Sequence, residues 1–188
     1  MKLLFIDTET SGLPKDWKAP TTDVENWPRV IEFACIAVEV GNPSATHEHS
    51  AIMTCDFLIP EAASKVHGIT DKIVKAEGLD RTEQLNLLFS NMKQADFICG
   101  HNVSYDKNCL DAEFHRLGFT VPEWKTFCTM LSTQKLFGKW PKLEQLFAFC
   151  KGYPMPEAHR ALADIRATLD CAMYLNAHGL LKFPEGLK

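Results

Sequence analysis

Apolar and polar positions follow a strand-like pattern over the first third of the chain. The apolar run at residues 2–6 predicts a buried strand that leads into a polar turn at residues 10–14. Residues 30–40 and about 48–59 are rich in β-branched and apolar residues, and the turn signal at residues 41–44 between them predicts a hairpin. We expect the first strand to pair with this hairpin.

From residue 80 onward the pattern changes to a helical period. Residues 80–94 place apolar side chains at three- and four-residue spacing, which predicts an amphipathic helix. Further helices that end before a glycine are predicted at residues 104–117, 142–151 and roughly 158–178, and short strands at residues 97–100 and 126–129. This order of elements predicts an α/β fold, with helices on the faces of a mixed sheet.

A polar stretch at residues 15–28 separates the first strand from the hairpin and carries Trp17 and Trp27. Loops longer than ~12–15 residues are often functional. This loop is therefore expected either to have a function of its own or to be a variable insertion. Packing against the body is the favoured interpretation of its two tryptophans.

Composition narrows the class of protein. The chain has 188 residues, 46% of them hydrophobic and 23% charged, which predicts one globular domain over residues 1–188. The net charge of −4 gives no excess of basic residues, whereas proteins that bind long duplex DNA usually carry a basic face. Either the chain does not bind nucleic acid, or it engages a short stretch and lets metal ions meet the phosphate. The charge alone favours the first of these interpretations.

The cysteines and the apolar runs indicate in which cellular compartment the protein is expected. Seven scattered cysteines without a C-x-x-C pair predict reduced thiols. The N-terminus lacks the pattern of a signal peptide, and every apolar run is shorter than the ~20 residues that span a membrane. We therefore expect a cytoplasmic protein with no membrane partner.

Asp7 and Glu9 follow the first apolar run. Residues two apart on a strand point to the same side, with Cα atoms ~6–7 Å apart, so the two carboxylates are placed to share a hard cation. A polar turn at the end of a strand would explain the same residues without any metal.

Two further clusters carry candidate chemistry. Asp106 lies in the predicted first turn of a helix, where an acid also suits the helix dipole. Asp164 lies on a helix stripe among small residues, and His159 stands before or within that helix's first turn. A histidine can take a proton from water near neutral pH. Each of these residues, taken alone, is also explained by capping or solvation.

Together the clusters fit one kind of chemistry. At least two of them lie at strand or helix junctions, where α/β sheets build their sites. Phosphodiester hydrolysis uses two cations ~3.5–4 Å apart, held by carboxylates, and a mobile base. Oxygen ligands without cysteine favour magnesium or manganese over zinc.

The motifs resemble those of the DEDDh (DnaQ-like) 3′-to-5′ exonuclease family and are similar to the proofreading exonucleases of the DNA polymerase III epsilon type. The segments, which cover the chain from residue 3 to about residue 175, are FIDTETSGL at residues 5–13, VHGIT at 66–70, HNVSYD at 101–106 and HRALAD at 159–164. The resemblance implies a ribonuclease H-like fold with a mixed five-stranded sheet flanked by helices.

The resemblance also implies roles for individual residues. The metal ligands for two divalent cations, Mg²⁺ or Mn²⁺, would be Asp7, Glu9, Asp106 and Asp164. His159 would be the general base. Thr10, Leu13 and His67 would contact the terminal nucleotide, Leu13 as an apolar wedge beside its base. As alternatives, Thr10 and Leu13 shape the turn, and His67 caps the helix near Asp71.

The 15–28 loop is longer than the resemblance implies for minimal relatives. It would guide the substrate strand, bind a partner, or be a variable insertion. Its tryptophans would stack on bases, at ~1–3 kcal/mol per base, unless they pack against the body as favoured above. The acidic total fits short single-stranded ends, or attachment through a partner such as a polymerase.

The expected activity is release of nucleoside monophosphates from the 3′ end of single-stranded or frayed DNA. Expected partners are single-stranded DNA or RNA 3′ ends and a DNA polymerase or another replication or repair protein. Three alternatives remain. One is an oligoribonuclease that acts on short RNA. Another is an inactive nucleic-acid-binding adaptor, although every acid of the set is present. The last is a phosphatase that resembles the haloacid dehalogenases, whose pattern requires a second aspartate where this chain has Glu9.

Overall fold

The computed structural model describes residues 1–156 and 159–184, apart from the side chains of residues 43–45. Its centre is a five-stranded mixed sheet in the order β3-β2-β1-β4-β5. In chain order the elements are β1 (Lys2–Thr10), β2 (Val30–Glu39), β3 (Asn42–Ile52), α1 (Glu61–His67), α2 (Asp71–Glu77), α3 (Arg81–Gln94), β4 (Phe97–Gly100), α4 (Val103–Arg116), β5 (Thr126–Cys128), α5 (Thr129–Ser132), α6 (Gln134–Phe137), α7 (Leu143–Lys151) and α8 (Ala161–Ala177).

The sheet has an antiparallel half and a parallel half. β1 pairs antiparallel with β2, which pairs antiparallel with β3, while β1–β4 and β4–β5 are parallel. The predicted pairing of the first strand with the hairpin is therefore confirmed, as is the mixed five-stranded sheet flanked by helices.

β1 lies in the middle of the sheet and is covered on both faces. Leu3 and Phe5 join the core beneath α7 and α8, whereas Leu4 and Ile6 join the core beneath α3 and α4. Burial on both faces explains why this segment reads as a continuous apolar run rather than an alternating one. Side chains farther along β1 keep the same alternation, so Asp7 and Glu9 lie on the α8 side and Thr8 and Thr10 on the α4 side.

Several predicted boundaries are wrong. The first strand continues to Thr10, and the second strand of the hairpin ends at Ile52 instead of residue 59. Beyond β3 the backbone pairs with Leu79 instead of extending the hairpin, since the N of Thr54 donates to the Leu79 carbonyl (2.8 Å) and the N of Leu79 to the Ile52 carbonyl (2.9 Å). The helices α1 and α2 follow; α1 was not predicted, and α2 was expected only as a helix near Asp71.

The 15–28 loop is a closed structure. Asn26 fastens its two ends together, since its Oδ1 accepts from the backbone N of Asp16 (2.7 Å) and its Nδ2 donates to the Asp16 carbonyl (2.9 Å). Arg116 of α4 donates to the carbonyls of Val24 and Trp27. Trp27 is buried, so packing against the body is confirmed for it. Trp17 is 56% exposed, although one part of its ring system lies against Tyr105 of α4.

A buried carboxylate joins this loop to the sheet and the helices. Glu113 on α4 is 1% exposed. Its Oε1 lies 2.9 Å from Nε of Arg29, 3.3 Å from Nη1 of Arg81 and 3.2 Å from Nη1 of Arg116. The same oxygen accepts from the backbone N of Val30 (3.0 Å). The start of β2, α3 and α4 are therefore held at one point.

Among the described helices, none combines the length and the apolar character needed to cross a bilayer.

Candidate active site

Three carboxylates from two elements converge at the carboxyl end of β1. Asp7 and Glu9 come from β1 and Asp164 from the first turn of α8, and one carboxylate oxygen from each lies within 4.8 Å of the others. α8 is brought to this position by its apolar side, because Ala161, Ile165 and other buried residues pack on the sheet. The structure thus brings together the first and third of the predicted clusters.

Asp106 approaches the same place from the opposite face of β1. It is buried in the first turn of α4, and its Oδ1 accepts hydrogen bonds from the backbone N (2.9 Å) and Oγ1 (2.8 Å) of Thr8. Its charge raises the pKa of Asp7. Asp106 is therefore a neighbour of the three-carboxylate group, while its Oδ1 is committed to Thr8.

Burial and nearby negative charges raise the pKa of all four acids. Burial is the largest cause for each of them, and it holds the pKa of Asp7 well above its ordinary range. The pKa rises to about 8 for Glu9, about 7 for Asp106 and about 6 for Asp164. Like charges nearby add to the shift, which is the usual effect of carboxylates that share a site.

His159 lies beside these acids, in a strained backbone conformation. Its φ is +67°, and its backbone N donates to Oδ2 of Asp164 (3.1 Å). Its side chain lines a cleft together with Asp7 and Asp164. The predicted helix start is wrong, because α8 begins at Ala161 and His159 precedes it. Residue 158, the predicted first residue of that helix, lies outside the described residues.

Glu32 is a charged residue of the site that the sequence did not reveal. It lies on β2 directly opposite Glu9 and is 3% exposed. Its carboxylate accepts from Nη2 (2.8 Å) and Nε (3.2 Å) of Arg160 and from the backbone N of Ala161 (3.2 Å). It therefore fastens the segment that carries His159 to the sheet. The available signal was an acid within an otherwise apolar strand, because acids are rarely buried without a partner.

The candidate nucleotide-binding residues lie near the end of β1. Oγ1 of Thr10 donates to the Gly12 carbonyl (2.8 Å) and lies 2.5 Å from the hydroxyl of Tyr105. Leu13 follows this turn and is 71% exposed. Thr10 therefore shapes the turn that presents Leu13, which is compatible with a wedge role for Leu13.

His67 is buried at the end of α1. Its Nδ1 accepts from the backbone N of Ile69 (3.0 Å), and its Nε2 has no hydrogen-bond partner among the described residues. Burial lowers its pKa, although the charge of Glu32 acts in the opposite direction. The helix near Asp71 is capped by the side chain of Thr70, so the capping alternative for His67 is wrong.

The three-carboxylate group fits a divalent cation on structural grounds. Oδ1 of Asp164 is buried without a hydrogen-bond partner in the described part of the chain. Carboxylate oxygens in this arrangement are the ligands that hard cations prefer. A cation would also relieve the repulsion that raises the four pKa values, because an opposite charge favours the ionised form of a carboxyl.

Comparisons with known proteins agree with this geometry. The RNase_T exonuclease family model matches residues 4–172. The chain is 29% identical over 165 residues to the DNA polymerase III subunit epsilon of Buchnera aphidicola, covering 86% of this chain and 66% of that protein. The chain thus spans slightly less than two thirds of this relative.

Solved structures share the fold. Exonuclease I of E. coli in complex with a dT13 oligonucleotide matches with a TM-score of 0.72 at 20% identity, over 93% of this chain and 41% of that one. Exonuclease X in complex with 5′-overhanging duplex DNA matches with a TM-score of 0.63 at 22% identity, over 94% and 93% of the two chains. The expected ribonuclease H-like fold is confirmed, and the phosphatase alternative is wrong. From its motifs, its fold and the match over residues 4–172, the chain belongs to the RNase_T exonuclease family.

Proposed function

We propose that the chain is a metal-dependent 3′-to-5′ exonuclease that releases nucleoside monophosphates from single-stranded or frayed DNA ends. In this proposal residues 1–188 act as one exonuclease domain with an insertion at residues 15–28. The observation that carries it is the convergence of Asp7, Glu9 and Asp164 within 4.8 Å beside His159. The match to an exonuclease family supports it.

The residues that would hold metal are Asp7, Glu9 and Asp164, with Asp106 contributing directly or through water. Their ligand atoms are all oxygens, which favours Mg²⁺ or Mn²⁺. Two such cations supply positive charge to the scissile phosphate and lower the pKa of the attacking water. Asp106 is held in place by Thr8, so its position relative to Asp7 is fixed by the strand itself.

The chain's own residues would then orient the substrate and move the proton. His159 is exposed at the rim of the cleft and is the proposed general base for the attacking water. Leu13 would pack beside the terminal base, and Thr10 would hold the turn that presents Leu13. His67 would lie near the terminal nucleotide, where its unpartnered Nε2 offers one hydrogen bond.

The proposed partners follow from the relatives. One relative is a subunit of a DNA polymerase, which supports a polymerase or another replication or repair protein as the partner of this chain. Structural neighbours were solved with single-stranded or overhanging DNA, which supports DNA 3′ ends as substrate. A cytoplasmic location fits such a role.

The test is a nuclease assay with Mg²⁺ or Mn²⁺ on end-labelled single-stranded DNA, mismatched duplex DNA and short RNA. Asp7→Ala is the inactive control. We expect stepwise shortening from the 3′ end, with DNA preferred. Preference for short RNA would replace the DNA substrate by an oligoribonuclease role, and three intact substrates would refute the proposal.

A further inference from the structure

The cleft beside the acids has apolar lining residues that the proposed mechanism does not use. The cleft measures about 330 Å³. Met130, Trp140 and Met155 line it together with Asp7, Asp164 and His159. Apolar side chains in one cleft with metal-binding carboxylates have the chemistry of a nucleotide site, where a base and a phosphate must be bound side by side.

Trp140 is the largest of these apolar side chains and is 60% exposed. It lies between α6 and α7, two residues before Lys142, which also lines the cleft. Exposed tryptophan next to lysine is a combination found where proteins bind single-stranded nucleic acid, because bases stack on the ring and phosphates attract the cation.

The segment that carries Trp140 is hydrogen-bonded to the HNVSYD motif at residues 101–106. Nε2 of His101 lies 2.9 Å from the carbonyl of Pro141 and therefore donates to it. Nδ1 of His101 lies 2.9 Å from Oγ1 of Thr129, which is fully buried. Burial lowers the pKa of His101 and therefore disfavours the charged form of its ring. Through the Pro141 carbonyl, His101 thus holds the residue next to Trp140 in place.

A scissile phosphodiester has one nucleoside on each side. Leu13 is the proposed contact for the terminal nucleoside, and it follows the end of β1. Trp140 comes from the separate α6–α7 connection and shares a cleft with Asp7 and Asp164, whereas Leu13 does not line that cleft. The second nucleoside, on the 5′ side of the phosphate, therefore has a separate aromatic surface available to it.

We propose that Trp140 stacks on the base of the penultimate nucleotide, and that His101 is the positioning residue for Trp140. This inference rests on the proposed exonuclease function. Stacking is tolerant of base identity, since every base offers a π face. Trp140 would therefore help to hold the strand after each release, whatever its sequence.

The test combines a variant with a modified substrate. Wild type and Trp140→Ala are compared on an oligodeoxythymidylate and on the same strand with an abasic residue at the penultimate position, and only release of the first nucleotide is measured. Loss of one stacked base corresponds to ~5- to 150-fold in kcat/KM. We expect wild type to lose this factor on the abasic strand. The alanine variant should show the loss on both strands, with no further effect of the abasic residue.

Two variants serve as controls, and thermal melting checks the fold of each one. Trp140→Phe keeps an aromatic face and should retain most of the dependence on the penultimate base. Trp17→Ala removes a tryptophan of similar exposure that packs against Tyr105 of α4, with ring centroids 5.7 Å apart. It should leave the dependence on the penultimate base as in wild type.

The outcomes separate the two proposals. An active wild type that is indifferent to the abasic residue overturns the role of Trp140 and leaves the exonuclease intact, even if the alanine variant fails to fold. The role of Trp140 is also overturned if the dependence on the penultimate base disappears in Trp17→Ala and persists in Trp140→Ala. A wild type that cleaves neither strand with Mg²⁺ or Mn²⁺ overturns the exonuclease proposal itself.

Discussion

Replacing Asp7 by asparagine should stabilise the metal-free protein. The side chain keeps nearly the same shape and loses its charge, so Glu9, Asp106 and Asp164 lose a close repulsive neighbour. Each pKa unit corresponds to ~1.4 kcal/mol. A Glu9 pKa of about 8 against its ordinary 4.5 therefore sets an upper limit of ~5 kcal/mol on the cost of ionising that one residue at high pH.

Asp7→Asn should recover only part of that cost. Burial of Glu9 itself is the largest source of its pKa shift, followed by the charges of Asp164 and Glu32, and the Asp7–Glu9 repulsion raises the pKa of Asp7. A new buried amide also needs hydrogen bonds of its own. We expect a net gain of ~1–3 kcal/mol at pH 8 in EDTA, and a Tm higher by ~2–4 °C for each kcal/mol.

Chemical denaturation and thermal melting in EDTA measure this gain. In Mg²⁺ wild type should be more stable than Asp7→Asn. A ligand that binds only the folded state stabilises it, and Asp7→Asn weakens that binding. Asp111→Asn is the matched control, since Asp111 is also a buried aspartate but is paired with Lys107 (2.6 Å) and Trp124 (2.8 Å). It should destabilise the protein in both buffers. An Asp7→Asn variant that is no more stable than wild type in EDTA would refute the reasoning.

Three further changes test other parts of the site. His159→Ala should lower turnover ~10²- to 10⁴-fold, as expected for loss of a general base, while the stabilisation by Mg²⁺ in thermal melts persists; unchanged turnover would remove His159 from that role. Glu32→Gln removes the charge that holds Arg160 and should therefore misplace His159. We expect kcat to fall ~10- to 100-fold while KM changes little. An unaltered kcat in steady-state kinetics would contradict this. The metal-free protein should lose stability as the pH rises from about 5 to about 8. The pKa values of Asp164, Asp106 and Glu9 in the folded protein, about 6, 7 and 8, lie above the ordinary ones, so the unfolded chain releases these protons at lower pH. Urea titrations across this range should show the decline, and a flat profile would contradict it.

Several elements of this fold were predictable from the sequence. The strand at residues 97–100 was predicted with its observed bounds, and three helices end within two residues of the predicted Gly118, Gly152 and Gly179. The extents of α1 and α2 were not predicted because each has seven residues and few buried positions, so neither shows an apolar period. The end of β3 was missed because the backbone of Leu79, which is distant in sequence, takes the hydrogen bonds beyond it.

The acids of the site were predictable because they are close to strand and helix ends along the sequence. The contacts that hold the neighbouring segments in place were not predictable. Glu32 is 128 residues from Arg160, and the loop with Trp140 lies 39 residues beyond His101. No local pattern encodes either contact, since each depends on how α8 and the α6–α7 connection dock on the sheet. The role of Thr8 as the hydrogen-bond donor to Asp106 was hidden for the same reason.

The alternation of side chains along β1 also limits how the sequence can vary. Asp7 and Glu9 face α8 while Thr8 faces α4 and binds Asp106, so consecutive residues serve opposite faces of the sheet. Inserting or deleting one residue in β1 would exchange these faces, because the side-chain period of a strand is two. Both the carboxylate group and the Thr8–Asp106 contact would then be lost together. Length variation among related sequences should therefore be absent from β1 and concentrated in the 15–28 loop, whose ends are already joined by Asn26.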